Sequence, residues 1–161
     1  MRSNDLLYET KYGAGCLLFV PESKKFLLIK RSDFVPTPLT WCFPGGGVDG
    51  YEDPKNAAIR ECYEEIGYKL SNDLHLLYTN ETHAPRFKFF TYVSIVEKTF
   101  QPKLNWESCD YMWTTIDDLP KPLHWGVKQL FSSDRAAKKL KKLVWFQNQD
   151  LKKHIILIEY I

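Results

Sequence analysis

Residues 46–68 read Gly46-Gly47-Val48-Asp49-Gly50-Tyr51-Glu52-Asp53-Pro54-Lys55-Asn56-Ala57-Ala58-Ile59-Arg60-Glu61-Cys62-Tyr63-Glu64-Glu65-Ile66-Gly67-Tyr68. The stretch predicts a helix over 53–66 with both ends marked. Asp53 is an N-cap residue, Pro54 suits a first helical position that needs no N–H bond, and Gly67 can close the helix in a left-handed conformation. Glu61, Glu64 and Glu65 stand at i, i+3 and i+4, so they share a helix face spanning roughly 100° of arc. Ile59, Cys62 and Ile66 fall on a neighbouring arc that would pack on a sheet, which puts the carboxylates beside the buried stripe.

Like charges at this spacing destabilise a bare helix by a few tenths of a kcal/mol per pair. A hard divalent cation reverses that sign, and Mg²⁺ prefers carboxylate and carbonyl oxygens. The glycines before the helix let backbone approach a metal or a phosphate closely. The segment holds six acids (Asp49, Glu52, Asp53, Glu61, Glu64, Glu65) against two bases (Lys55, Arg60). This local −4 in a chain of net +2 suits a metal bridging to an anionic substrate.

Outward from this segment, apolar runs at 12–20 and 26–29 read as a hairpin. Residues 32–40, with Pro36 and Pro38, read as a loop, and Trp41-Cys42-Phe43 as a short strand stopped by Pro44 and the glycines. Strands follow at 74–82, 87–96 and 112–115, helices at 125–131 and 134–146, and a last strand at 154–160. This order predicts an α/β fold, a mixed sheet covered by helices, in a single domain over 1–161 with a helical, basic segment at about 124–153. The length of 161 residues, 44% hydrophobic and 26% charged, is that of one globular domain and excludes a disordered or fibrous chain. No apolar run reaches membrane-spanning length. Cys16, Cys42, Cys62 and Cys109 form no C-x-x-C pair and read as reduced thiols, which implies a cytoplasmic protein.

The quoted segment resembles the signature of the Nudix hydrolases, G-x5-E-x7-R-E-U-x-E-E-x-G-U, with U a bulky apolar residue. Gly46, Glu52, Arg60, Glu61, Glu64, Glu65 and Gly67 hold its fixed positions, with Cys62 and Tyr68 at U. Trp41-Cys42-Phe43-Pro44-Gly45-Gly46 is similar to the family's W-x-x-P-G-G entry. The resemblance implies a Nudix-type α/β/α sandwich. It implies that Glu61, Glu64, Glu65 and the carbonyl of Gly45 ligate Mg²⁺ or Mn²⁺, that Arg60 pairs with Glu52, and that Ala58, Cys62 and Ile66 seat the helix in the core. The reaction implied is hydrolysis of a diphosphate linkage in a nucleoside diphosphate joined to another group. The general base implied is a glutamate of the helix or one on a later loop, with Glu107 preferred over Glu81 and Glu97.

Substrate choice is expected outside the signature. Arg31 and Arg86 are candidates for phosphate, with Lys30 beside Arg31. Tyr12, Phe34, Phe87, Phe89, Trp106 and Trp125 are candidates for stacking on a base, with Phe87 favoured. His124 and Trp125 are expected at the cleft mouth or as a helix start. Arg135, Lys138, Lys139, Lys141, Lys142, Lys152 and Lys153 read as a solvated basic face or an RNA contact. Two rival functions stay open beside the hydrolase of a small nucleotide derivative: a pyrophosphohydrolase of RNA 5′ ends, and an idle nucleotide-binding module. A homodimer is allowed.

Overall fold

A computed structural model describes residues 10–83 and 86–144. The first hairpin forms where the apolar runs lie: β1 (Lys11–Val20) turns at residues 21–24 into β2 (Lys25–Arg31). Eight consecutive residues of β1 are buried, so both faces of this central strand are covered. β1 pairs with β2 only at its end, Phe19 opposite Phe26 and Val20 opposite Lys25. The two strands then part. β2 goes on to pair antiparallel with β3 (Trp41–Cys42) and with β7 (Ser108–Thr114).

The parted start of β1 takes two other partners. On one side runs β4 (Gly45–Gly47), antiparallel, with Gly13, Ala14 and Gly15 opposite Gly47, Gly46 and Gly45. This strand is a correction to the reading of the glycines as a stop. A Cβ on Gly45 would stand 2.5 Å from the Ala14 carbonyl oxygen, and one on Gly15 would stand 2.6 Å from that of Pro44. Glycine on both strands is what lets the backbones meet. On the other side β1 runs parallel to β6 (Arg86–Ile95), which pairs antiparallel with β5 (His75–His83). The sheet is therefore mixed, in the order β3-β2-β1-β6-β5, with β4 and β7 off that path.

Helices cover both faces. α1 (Pro54–Ile66) packs on β1 and β4. Its ends are those expected: the Asp53 carboxylate accepts from the Lys55 N–H, and Gly67 turns left-handed at φ 66°. Ala57, Ala58, Cys62 and Ile66 are fully or almost fully buried, and Cys62 lies near Cys16 of β1. On the opposite face α2 (Trp125–Phe131) sends Phe131 to within 5.0 Å of Phe26 and 6.0 Å of Phe43, ring centre to ring centre. Residues 134–144 are also helical. The end of the helix read at 134–146 and the strand read at 154–160 lie outside the described residues. β7 begins earlier than the expected 112–115, because its first half carries exposed Cys109 and Asp110 and shows no apolar run.

Cys16, Cys42 and Cys62 are buried free thiols and Cys109 is an exposed one. Among the described residues no helix is long and apolar enough to cross a membrane.

Candidate active site

Arg60 organises the loop between β4 and α1. Its guanidinium donates through Nε and Nη2 to the two carboxylate oxygens of Glu52, at 3.2 and 3.0 Å. Nη2 also reaches the Gly47 carbonyl at 2.8 Å, and Nη1 reaches Glu61 at 2.9 Å and Glu64 at 3.4 Å. One planar fork thus ties β4, the loop and two turns of helix together, a task its rigid geometry suits better than a lysine's. The pairing with Arg60 holds the Glu52 carboxyl below its ordinary range, and Glu52 and Glu61 in turn hold the arginine proton more tightly.

The three glutamates of α1 are graded in burial. Glu64 is half exposed, Glu61 is mostly covered, and Glu65 is 4% exposed, inside the helix's buried stripe and not beside it. The Glu61 carboxylate lies over Gly46, where a Cβ would stand 2.5 Å from its carboxyl carbon. Burial pushes the Glu61 carboxyl up, against the pull of Arg60, and the Glu64 and Glu107 carboxylates add to the rise. Glu65 accepts from the Gly45 N–H at 2.6 Å and makes no ion pair among the described residues. Burial pushes its carboxyl up to about 8, and the nearby Glu107 and Glu61 carboxylates push the same way.

Glu107 is half-buried on the loop before β7. Its N–H donates to the Asn105 side chain at 3.0 Å, and its carbonyl accepts from the Ser32 N–H at 2.8 Å. That anchoring brings a sequence-distant carboxylate into the field of the two helix glutamates. Among the described residues no three Asp, Glu, His or Cys side chains converge as a ready metal cage. The reason is visible: Arg60 draws Glu61 and Glu64 toward itself, and the Gly45 N–H draws Glu65. The donor set nonetheless fits a hard dication. It offers clustered carboxylate oxygens, two of them held under burial and mutual repulsion that a divalent charge would relieve.

Next to Gly45–Gly47 opens a cleft of about 300 Å³ between the sheet and α2. Arg31, Phe87, Phe89, His124 and Trp125 line it, as does Asn80. Arg31 is its one cation among the described residues; Nε is tied to the Pro36 carbonyl at 2.7 Å, and the side chain acts electrostatically on Glu65, Cys42 and His124. His124 caps α2, its Nδ1 accepting from the Gly126 N–H at 3.3 Å. Burial and Arg31 both lower its pKa, which keeps the ring neutral and its Nε2 a donor.

The structure brings Glu52, Arg60, Glu61, Glu64, Glu65, Glu107, Gly45 and Gly46 together, with Arg31 and Phe87 at the adjoining cleft. Gly67 stays apart as the helix cap. Arg86 is not in this group; it is exposed at the start of β6, and strand alternation gives the cleft to Phe87 and Phe89. Tyr12, Phe34 and Trp106 do not line the cleft and are exposed. Lys30 reaches over the Trp41 ring at 5.8 Å. Asn80 and Thr91, both buried and both facing the cleft, escaped the sequence reading; the only signal was a polar residue at an inward position of a strand.

The NUDIX domain family matches residues 9–133. Diphosphoinositol polyphosphate phosphohydrolase 3-alpha of Homo sapiens is 30% identical over 118 residues, which are 70% of this chain and 69% of that one. CMP-5'-(N-acetyl-N-hydroxy-3-aminopropyl)phosphonate hydrolase of Streptomyces rubellomurinus is 42% identical over 65 residues, 40% of this chain and 32% of its own length. The chain thus spans between about a third and about two thirds of these curated relatives. Among solved structures, the MutT NUDIX hydrolase of Burkholderia pseudomallei superposes with a TM-score of 0.65 at 26% identity, over 74% of this chain and 94% of that one. The NUDIX domain of Shewanella oneidensis NrtR, solved with ADP ribose, shares the fold at a TM-score of 0.66 and 20% identity, over 81% of this chain and 88% of that one. The chain belongs to the NUDIX family and is one of its pyrophosphohydrolases.

Proposed function

We propose that this protein hydrolyses the diphosphate linkage of a nucleoside diphosphate derivative, with Mg²⁺ or Mn²⁺ held by Glu61, Glu64, Glu65 and the Gly45 backbone. The observation that carries the reading is Glu65: a buried carboxylate without an ion pair among the described residues, beside Glu61 and Glu107, at the end of an aromatic cleft. The bound cation would neutralise phosphate charge and acidify the attacking water. Glu107 takes that water's proton, Arg60 fixes the loop and the helix relative to each other, and Arg31 steadies a phosphate oxygen through its guanidinium. A cleft with one cation and several aromatic rings among the described residues suits a nucleoside better than a polyphosphorylated inositol, whose phosphates would need several cations. The buried free cysteines suit a reducing, cytoplasmic setting.

The test is turnover with Mg²⁺ or Mn²⁺ on nucleotide sugars, nucleoside triphosphates, dinucleoside polyphosphates, ADP-ribose and a diphosphoinositol polyphosphate. The expected products are a nucleoside monophosphate and the phosphate of the other group, with Glu64→Gln abolishing the reaction. Turnover confined to the inositol substrate, or none at all, overturns the reading. A second reading, hydrolysis of RNA 5′ ends, has one observation in its favour: Arg135, Lys138, Lys139 and Lys141 are exposed on the helical residues 134–144. It requires RNA affinity that falls steeply with salt and weakens on Lys→Ala changes at 138–142.

A further inference from the structure

We propose that the cleft between β6 and α2 is a nucleobase slot in which the Asn80 amide reads the base edge and favours adenine or cytosine over their oxo counterparts. The inference rests on the reading of the protein as a nucleotide hydrolase and adds the identity of the base.

Two aromatic walls define the slot. Phe87 and Phe89 stand with ring centres 6.1 Å apart on the sheet side, and Trp125 stands beside His124 at 5.5 Å on the helix side. Phe89 lies across β1, because a Cβ on Gly13 would stand 2.6 Å from its ring and one on Gly15 would stand 3.1 Å away. Those glycines hold the ring down and keep the space above it open. Stacking surfaces of this kind accept any base, so they give affinity without choice.

Choice comes from Asn80. It is 3% exposed, pairs with Phe89 in the register of β5 and β6, and lines the slot. Its Nδ2 donates to the Oε1 of Gln129, an exposed residue of α2. In that bond Asn80 supplies the nitrogen and Gln129 the oxygen. The Oδ1 accepts no hydrogen bond among the described residues, yet every fully enclosed side-chain polar atom among them has a partner. The oxygen is therefore not fully enclosed, and because Asn80 lines the slot we assign that oxygen and the second N–H of the amide to the base edge. An acceptor beside a donor matches an exocyclic amino group beside a ring nitrogen, the pattern shared by adenine and cytosine. Hypoxanthine and uracil reverse it, and an oxo group would face Oδ1 directly.

The experiment is calorimetric titration of the whole protein, without divalent cation, with AMP, IMP, CMP, UMP and ribose 5-phosphate. The slot requires AMP to bind about tenfold more tightly than IMP, and CMP than UMP. It requires AMP to exceed ribose 5-phosphate by at least as much. Gln129→Leu, a surface change, frees the amide to turn over and should erase the preference for AMP over IMP while AMP still binds. Asn80→Leu should bring AMP down to the level of IMP. IMP binding as tightly as AMP, AMP binding no better than ribose 5-phosphate, undetectable binding of every nucleotide, or a preference that survives Gln129→Leu overturns the proposal. No turnover is read, so loss of discrimination leaves the hydrolase reading standing, and a failed hydrolysis panel leaves the slot standing.

Discussion

Replacing Glu65 by glutamine should stabilise the metal-free protein while disabling it. In the fold the Glu65 carboxyl is 4% exposed and titrates near 8, against an ordinary value of 4.5. The folded state therefore keeps a proton that the unfolded chain releases, and stability falls as pH rises from about 5 to about 8. Each unit is worth about 1.4 kcal/mol, so ionising Glu65 in place costs of order 4 kcal/mol at pH 8 when no cation is bound. Glutamine keeps the acceptor for the Gly45 N–H and removes the charge, at the expense of burying an amide whose N–H groups need partners. The net expectation is a gain of ~2–4 kcal/mol at pH 8 in chelator, or roughly 5–10 °C in melting temperature. At pH 5 the gain should vanish. Adding Mg²⁺ or Mn²⁺ should raise the melting temperature of the wild type and leave the variant unmoved. The assay is thermal unfolding from pH 5 to 8 with and without divalent cation. A variant less stable than wild type at pH 8 in chelator, or a wild type whose stability is flat across that range, rules out a Glu65 carboxyl that the fold keeps protonated.

Other perturbations separate positioning from stability. Gly46→Ala places a Cβ 2.5 Å from the Glu61 carboxyl carbon; the side chain can swing aside, so melting should move little while kcat falls about 100-fold. Gly45→Ala meets backbone at 2.5 Å on β1, which cannot step aside, and should cost ~1–3 kcal/mol by denaturant unfolding. Arg60→Lys keeps the charge and loses the fork to Glu52, Glu61 and Gly47; kcat should drop ~10–100-fold with a smaller change in KM. Because Arg60 lowers the Glu52 carboxyl, wild-type stability should fall as pH drops below 4.5, and less so in the lysine variant.

The parts of this molecule legible in its sequence are those decided locally. The helix of the signature follows from its own cap, proline and terminal glycine, and the first hairpin from two apolar runs around a turn. What escaped is decided by partners far along the chain. Gly45–Gly47 resembles a turn, and becomes a strand only because Gly13 and Gly15 on β1 leave room for it. The second half of β7 was legible as a strand, whereas its first half, Ser108–Asp110 beside β2, has no run of apolar residues to announce it. The acidic trio was legible as a set, but not its grading, because the burial of Glu65 depends on the strand that α1 covers. Glu107 was legible as a candidate, and its approach to Glu61 and Glu65 comes from its backbone bond to Ser32. Arg86 and Phe87 are adjacent in sequence, and alternation gives one to solvent and the other to the cleft.

The proposed hydrolysis stands on α1 gathering carboxylates to hold a divalent cation. The most direct measurement is the number of protons released when Mn²⁺ is titrated into the wild-type protein at pH 7, read by calorimetry in buffers of different ionisation enthalpy. With Glu65 titrating near 8, binding should release close to one proton per site, and Glu65→Gln should release none. Absence of Mn²⁺ binding, or binding with no proton release that Glu65→Gln leaves unchanged, contradicts the account.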